Sequence, residues 1–168
     1  VVLVHGGGPH INKELEARGI KWEFLDGLRV TTPEMMDVIE MVLCGSVNRR
    51  VVRALNHAGV PAVGIAGTDA STLSCKAAGK KLGQVGEIQE VDTSIIQAIL
   101  NTQTAQGLGA IPVIAPIGFG PEGEGLNINA DWAASRIAQS MGVKKMIFLT
   151  DQDGILGQDG SLLAELDA

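Results

Sequence analysis

The chain opens Val1-Val2-Leu3-Val4-His5-Gly6-Gly7-Gly8-Pro9-His10, and no other stretch restricts the fold so tightly. Four apolar, mostly β-branched residues read as a strand buried on both faces, three glycines follow, and Ile11 to Arg18 then carries apolar residues at helical spacing. A strand feeding a helix through glycine leaves backbone N–H groups unpaired at the helix N-terminus, where the aligned peptide dipoles favour negative charge. Glycine also lets an anionic oxygen approach the backbone with no Cβ in the way. The junction is either a place to hold phosphate or carboxylate or a tight turn that holds nothing.

Beyond it the pattern alternates. Gly19 closes the first helix, and Ile20 to Phe24 reads as a short strand leading to Gly27-Leu28-Arg29-Val30-Thr31. Thr32 is an N-cap candidate with Pro33 at the first helical position; the helix runs to Ala58, with a possible bend at Gly45 and Ser46, and ends at Gly59 and Pro61. Residues 60–66 form a buried strand, and residues 67–71 its loop. Leu73 to Ala77 and Gly83 to Val91 form a hairpin layer, and Asp92 or Thr93 caps a further helix. Ile111 to Ile117 is one more apolar strand. After the loop from Gly118 to Gly125, Asn129 caps a helix from Ala130 to Met141 whose inner face uses Trp132, Ala133, Ile137 and Met141. Lys145 to Leu149 is a last strand opening into Thr150 to Leu156.

Strands alternating with helices imply an α/β fold, a mostly parallel open sheet sandwiched by helices with a small β-hairpin layer. Ligands in such sheets sit beyond the carboxyl ends of the strands, so the loops at 5–10, 67–71, 118–131 and 150–157 are expected on one edge. A domain boundary is expected near Gly142: residues 1–142 form one domain, and 143–168 begin a second.

Composition narrows the ligand. A formal net charge of −6 gives no electrostatic footprint for nucleic acid or an anionic membrane surface, so a small anion must be captured by local dipoles and a few placed cations. No apolar run is long enough to span a membrane, and Cys44 and Cys75 have neither metal-ligand nor disulfide-framework spacing, which makes the cytoplasm the default location. The dinucleotide fingerprint fails because Ile11 stands where its third glycine must be, and Gly79-Lys80-Lys81 is no phosphate-binding P-loop. Asp151-Gln152-Asp153-Gly154 fails as a calcium loop because Leu149 occupies the first ligand position. His5, His10 and His57 show no metal or triad spacing. The surviving parts are suited to phosphoryl transfer without the common loop.

Taken together, HGGG (His5 to Gly8), GLRVT (Gly27 to Thr31), VGI followed by Gly67 and Asp69, LGQVGEI (Leu82 to Ile88), IPVIAPIG (Ile111 to Gly118), LNINAD (Leu126 to Asp131) and FLTDQDGIL (Phe148 to Leu156) closely resemble the acetylglutamate kinases of the amino-acid kinase family. The resemblance covers essentially the whole chain. It implies ATP-dependent phosphorylation of the side-chain carboxylate of N-acetyl-L-glutamate, giving N-acetyl-L-glutamyl 5-phosphate in arginine biosynthesis. Gly7 and Gly8 would lend N–H groups to the substrate and the phosphoryl group, Arg29 would clamp the α-carboxylate, and Asn127 would bind the substrate's amide or carboxylate region. Asp131 would orient catalytic lysines. Asp151, Gln152, Asp153, Gly154, Ile155 and Leu156 would cradle ATP and its Mg2+. The plainer alternatives are a surface salt bridge for Arg29, turn and cap roles for Asn127 and Asn129, a helix N-terminal charge for Asp131, and turn roles for Asp151 and Asp153.

The family pattern carries two catalytic lysines that this sequence does not contain, one before the HGGG strand and one beyond the equivalent of Ala168. Lys80, Lys81, Lys144 and Lys145 match neither and read as solvated surface charges. The expectation is a fragment lacking both ends and inactive alone. Carbamate or aspartate kinase activity is the nearest rival, and a non-catalytic ligand-binding or regulatory module is the alternative from another class. The apolar helix from Met35 to Val52 favours a homo-oligomer, a dimer or hexamer in this family. Arginine feedback and a PII-type regulator, known in some relatives, are not assignable from these residues.

Overall fold

The computed structural model describes residues 1–105, 107 and 109–149. Its centre is a three-stranded parallel sheet in which β7 (Ile111–Ala115) lies between β1 (Leu3–Val4) and β4 (Ala62–Ala66). Leu3 pairs with Val113 and Val4 with Ile114 on one side; Ala62 to Ala66 pair with Ile111 to Ala115 on the other. Alternate side chains of β7 feed two separate cores, as a two-residue strand period requires. Ala115 joins the core containing Ile11 and Leu15 of α1 (Gly8–Ala17) and Met35, Met36, Val38 and Ile39 of α2 (Pro33–Glu40). Ile114 joins the opposite core with Ile96 of α4 (Ser94–Leu100) and Ala133 and Ile137 of α5 (Ala130–Ser140). Helices on both faces of a parallel sheet are the expected arrangement.

The predicted long helix is real but not uniform. Thr32 caps α2, its hydroxyl accepting from the Met35 N–H at 3.3 Å, and Pro33 occupies the first turn. From Met41 to Val47 the backbone widens into a π-helix across Gly45 and Ser46, then tightens into α3 (Asn48–His57). The bend anticipated at those two residues is thus a change of helical pitch. Its apolar residues go largely into the core: Val42 and Leu43 are buried, and Met41 alone among its large apolar side chains is strongly exposed.

A second, four-stranded sheet of order β6-β5-β8-β9 carries β5 (Leu73–Ala77), β6 (Gly86–Val91), β8 (Ile117–Phe119) and β9 (Gly125–Asn127). The hairpin layer is therefore larger than expected. Pro116, which has no N–H for a ladder, divides the single strand expected over Ile111 to Ile117: β7 stays in the parallel sheet, and β8 leaves for the second, mixed one.

Four local expectations are corrected. Ile20 to Phe24 is not a strand; instead β2 (Phe24–Leu25) and β3 (Leu28–Arg29) form a hairpin turned by Asp26 and Gly27, with φ of 51° and 77°. That Asp-Gly pair with two positive φ angles is a known hairpin signal. The opening strand is only two residues long and half-buried, with Val1 at 88% exposure, and β1 lies at the edge of its sheet among the described residues. Trp132 is 52% exposed and does not face inward, while Ala133 and Ile137, expected on the same face, are buried. Lys145 to Leu149 forms no strand, and Ile147, Phe148 and Leu149 are exposed, since no neighbouring strand among the described residues pairs with them.

Candidate functional site

Where the glycine turn meets the start of α5, a cleft of about 190 Å³ opens. Gly6, Gly7 and Gly8 line one wall, Asn127, Ile128, Asn129 and Ala130 another, and Phe24, Gly27, Leu28 and Arg29 of the hairpin a third. A Cβ built on Gly6 would stand 3.7 Å from the Ala130 Cβ, so the two walls touch at their base. The loops at 5–10 and 118–131 thus converge as expected. The loop at 67–71 contributes no lining residue, and Asp69 instead closes its own turn by accepting from the Ala66 N–H at 2.9 Å. A larger, more open depression of about 430 Å³ elsewhere is lined by Asp37 and Glu40, whose charge disfavours an anionic occupant.

The motifs that stand far apart in sequence are knitted together by backbone. Thr31 donates to the Leu82 carbonyl at 3.0 Å, Gln84 donates to the Thr31 carbonyl at 2.8 Å, and Asn127 donates to the Gln84 carbonyl at 2.9 Å. Gly83 sits between these bonds at φ 65°, where a Cβ would collide with the Thr31 carbonyl. Fully buried Thr31 finishes the network with its hydroxyl, donating to the Arg29 carbonyl at 2.8 Å and accepting from Asn127 Nδ2 at 3.1 Å. The arrangement holds the main chain of Arg29 and the amide of Asn127 in fixed relation.

Arg29 is the one charged side chain among the described residues lining the cleft. It is 7% exposed, lies over the rings of Phe24 at 4.7 Å and Trp22 at 5.8 Å, and donates from one terminal nitrogen to Asn12 Oδ1. Its other terminal nitrogen, Nη1, is buried without a partner. No carboxylate among the described residues pairs with it, and burial alone pushes the guanidinium below its ordinary value. The surface salt-bridge alternative is therefore excluded. A buried, uncompensated cation with a spare donor is costly unless an anion is supplied.

The glycine turn is uncapped. No side chain satisfies the first-turn N–H groups of α1, Pro9 has none to satisfy, and at Gly8 a side chain would project into open space. At Gly7 a Cβ would lie 2.5 Å from Leu43 Cδ2, so a side chain there would have to displace that buried leucine. His5, just before the turn, is not poised for chemistry. Asn48 donates to its Nε2 at 3.1 Å and also to the Val113 carbonyl at 2.9 Å, so the ring proton sits on Nδ1, facing the Gly6 carbonyl at 2.9 Å. Burial lowers its affinity for a second proton.

Asn129 caps α5 as expected, its Oδ1 accepting from the N–H groups of Asp131 at 3.0 Å and Trp132 at 3.1 Å. Asp131 stands exposed in the first turn, beside the cleft but not among the residues lining it. Lys80, Lys81, Lys144 and Lys145 are all exposed, as surface charges should be. Asp151, Gln152, Asp153, Gly154, Ile155 and Leu156, assigned to ATP, lie outside the described residues. Sequence reasoning missed Asn12, Thr31, Asn48 and the two rings beside Arg29. The Asp26-Gly27 signal could have placed Phe24 opposite Arg29; the other contacts join segments with no local signal.

The profile of the amino acid kinase family matches residues 1–167. The chain belongs to that family. Among curated proteins, acetylglutamate kinase of Bacillus cytotoxicus is 47% identical over 167 residues, covering 99% of this chain and 62% of the relative. Acetylglutamate kinase of Campylobacter curvus is 44% identical over 168 residues, covering 99% and 58%. The chain thus spans about three fifths of the length of these relatives. Among solved structures, smu.665 of Streptococcus mutans UA159 superposes with a TM-score of 0.85 at 30% identity, over 94% of this chain and 62% of that one. An N-acetylglutamate synthase of Neisseria gonorrhoeae complexed with coenzyme A and N-acetyl-glutamate superposes with a TM-score of 0.75 at 27% identity, over 96% of this chain and 36% of that one. Membership of the amino acid kinase family accounts for the parallel sheet and its helical layers. No described helix is long and apolar enough to cross a membrane.

Proposed function

We propose that this chain forms the N-acetyl-L-glutamate site of an acetylglutamate kinase, which transfers a phosphoryl group from MgATP to the substrate's side-chain carboxylate in arginine biosynthesis. The observation that carries this is the buried Arg29 guanidinium, with one nitrogen unpartnered, in a cleft whose opposite wall is the uncapped start of α1. These are two anion-binding devices in one small cavity, matched to a ligand with two carboxylates. The relatives named acetylglutamate kinase support N-acetyl-L-glutamate as that ligand.

The proposed nucleophile needs no base, and none lines the cleft among the described residues. A carboxylate is already ionised at neutral pH, so no proton need be removed from it. The site must instead align two anions and offset their repulsion. Arg29 anchors the α-carboxylate through the planar pairing that a guanidinium provides and lysine imitates poorly. Asn127, its Nδ2 engaged by Thr31, offers its remaining N–H and its carbonyl oxygen to the acetamido end. Gly7 and Gly8 turn amide dipoles toward the side-chain carboxylate and the group it receives. That start of α1 suits a phosphoryl group for the same reason it suits a carboxylate, and when bound MgATP supplies the phosphoryl group. Asp131, exposed at the cleft edge, is placed to orient cationic side chains that belong to the family pattern. Asp151 to Leu156 are proposed to hold the nucleotide and its Mg2+. A homo-oligomer, a cytoplasmic location and a division into domains at about Gly142 accompany this reading.

The test is an assay of the complete gene product with MgATP and, separately, N-acetyl-L-glutamate, aspartate and carbamate, trapping acyl phosphate with hydroxylamine. Hydroxamate formed from acetylglutamate is the expected result. Turnover of aspartate or carbamate in its place, or ligand binding without turnover of any of the three, would overturn it.

A further inference from the structure

We propose that Asn12 is a positioning and specificity-determining residue: its neutral side-chain oxygen fixes the Arg29 guanidinium while leaving the whole positive charge for the ligand's α-carboxylate. Asn12 lies on α1 one helical turn after Gly8, so the helix that presents its N-terminus to the cleft also presents the acceptor for Arg29. The guanidinium also lies over the Phe24 and Trp22 rings, which attract a cation without neutralising it. Nη1 keeps an unpaired donor.

An aspartate at position 12 would have the same shape and a stronger hydrogen bond, and would serve the stability of the unliganded protein better. It would also cancel the charge that selects an acid over its amide. A buried arginine held by an amide, in a place where a carboxylate fits, is the pattern of a site whose counter-ion is the substrate. This inference rests on the assignment of Arg29 to the α-carboxylate.

Calorimetric titration of the complete gene product with N-acetyl-L-glutamate and with its α-carboxamide separates charge from shape. The wild type should prefer the acid by at least about tenfold. In Asn12→Asp the affinity for the acid should drop by about tenfold or more while that for the amide changes by less than about threefold, so the preference collapses with the melting temperature maintained or raised. Asn12→Ser keeps a neutral acceptor and should retain the preference even if both affinities fall. A folding defect would weaken both ligands alike and cannot mimic this pattern. If Asn12→Asp keeps the full preference while Arg29→Ala abolishes it, the role given to Asn12 is wrong and the site stands. If Arg29→Ala also keeps the preference, the assignment of the site itself fails.

Discussion

Two helices start at the same cleft, and their first turns are finished in opposite ways. Gly8 opens α1 with no capping side chain, a proline beside it and no acidic residue in the turn. Ala130 opens α5 with Asn129 saturating two of its N–H groups and Asp131 adding negative charge. Both ends carry the positive pole of a helix dipole, but only the first leaves it available. On the proposed reading the difference separates binding from support: α1 would forgo the stability of a cap to receive an anion, whereas α5 is closed by its own cap beside Asn127 and Ile128 at the wall. A glycine-rich helix start is a ligand site only where the protein has declined to satisfy it.

Substitutions on the two sides should diverge accordingly. The largest effect is expected from Arg29→Ala, which removes the cation that α1 holds through Asn12. Affinity for N-acetyl-L-glutamate should fall by about 100-fold, roughly 3 kcal/mol for a charge-assisted pair, read by calorimetry. Gly8→Ala comes next. The added methyl meets nothing in the protein, so the melting temperature should hold or rise slightly while ligand affinity falls by about tenfold or more. Equal losses of stability and affinity in this variant would erase the contrast between the two helices.

On the other side, Asn129→Ala should cost about 1 kcal/mol of stability by urea unfolding, with ligand affinity changed by less than about threefold. The smallest effect is a pH dependence confined to the α1 side. Burial holds His5 below the ordinary histidine value in the folded protein. The unfolded chain therefore binds the extra proton first, and stability should decline as pH falls below about 6.5 until the folded value is passed. Urea midpoints at pH 7 and pH 5 should converge in His5→Gln relative to the wild type.

Much of this was legible in the chain because the signals are local. The glycine turn, the Thr32-Pro33 start, the Asn129 cap and the strands around Ile65 and Ile114 each follow from a few neighbouring residues, and each formed where expected. Arg29 was identifiable as a binding residue only through the resemblance, and its burial without a counter-ion needed the folded structure. Asn12 and Asn48 carried no sequence signal, since their meaning lies in partners 17 and 43 residues away. Trp132 misleads because helical spacing alone puts it on the inner face; Ala133 and Ile137 are buried there, and the indole is exposed. Ile111 to Ile117 reads as one strand, yet Pro116 divides it between two sheets, a choice that only the partners β5 and β9 reveal.

The central claim is that the cleft grips an acyl amino dicarboxylate at both ends, by Arg29 on one side and the open start of α1 on the other. A crystal structure with N-acetyl-L-glutamate bound tests it most directly. The account predicts one carboxylate within about 3 Å of the terminal nitrogens of Arg29 and the other within about 3 Å of the Gly7 and Gly8 amides. A ligand seated elsewhere, or one that leaves Nη1 of Arg29 without an oxygen, would contradict it.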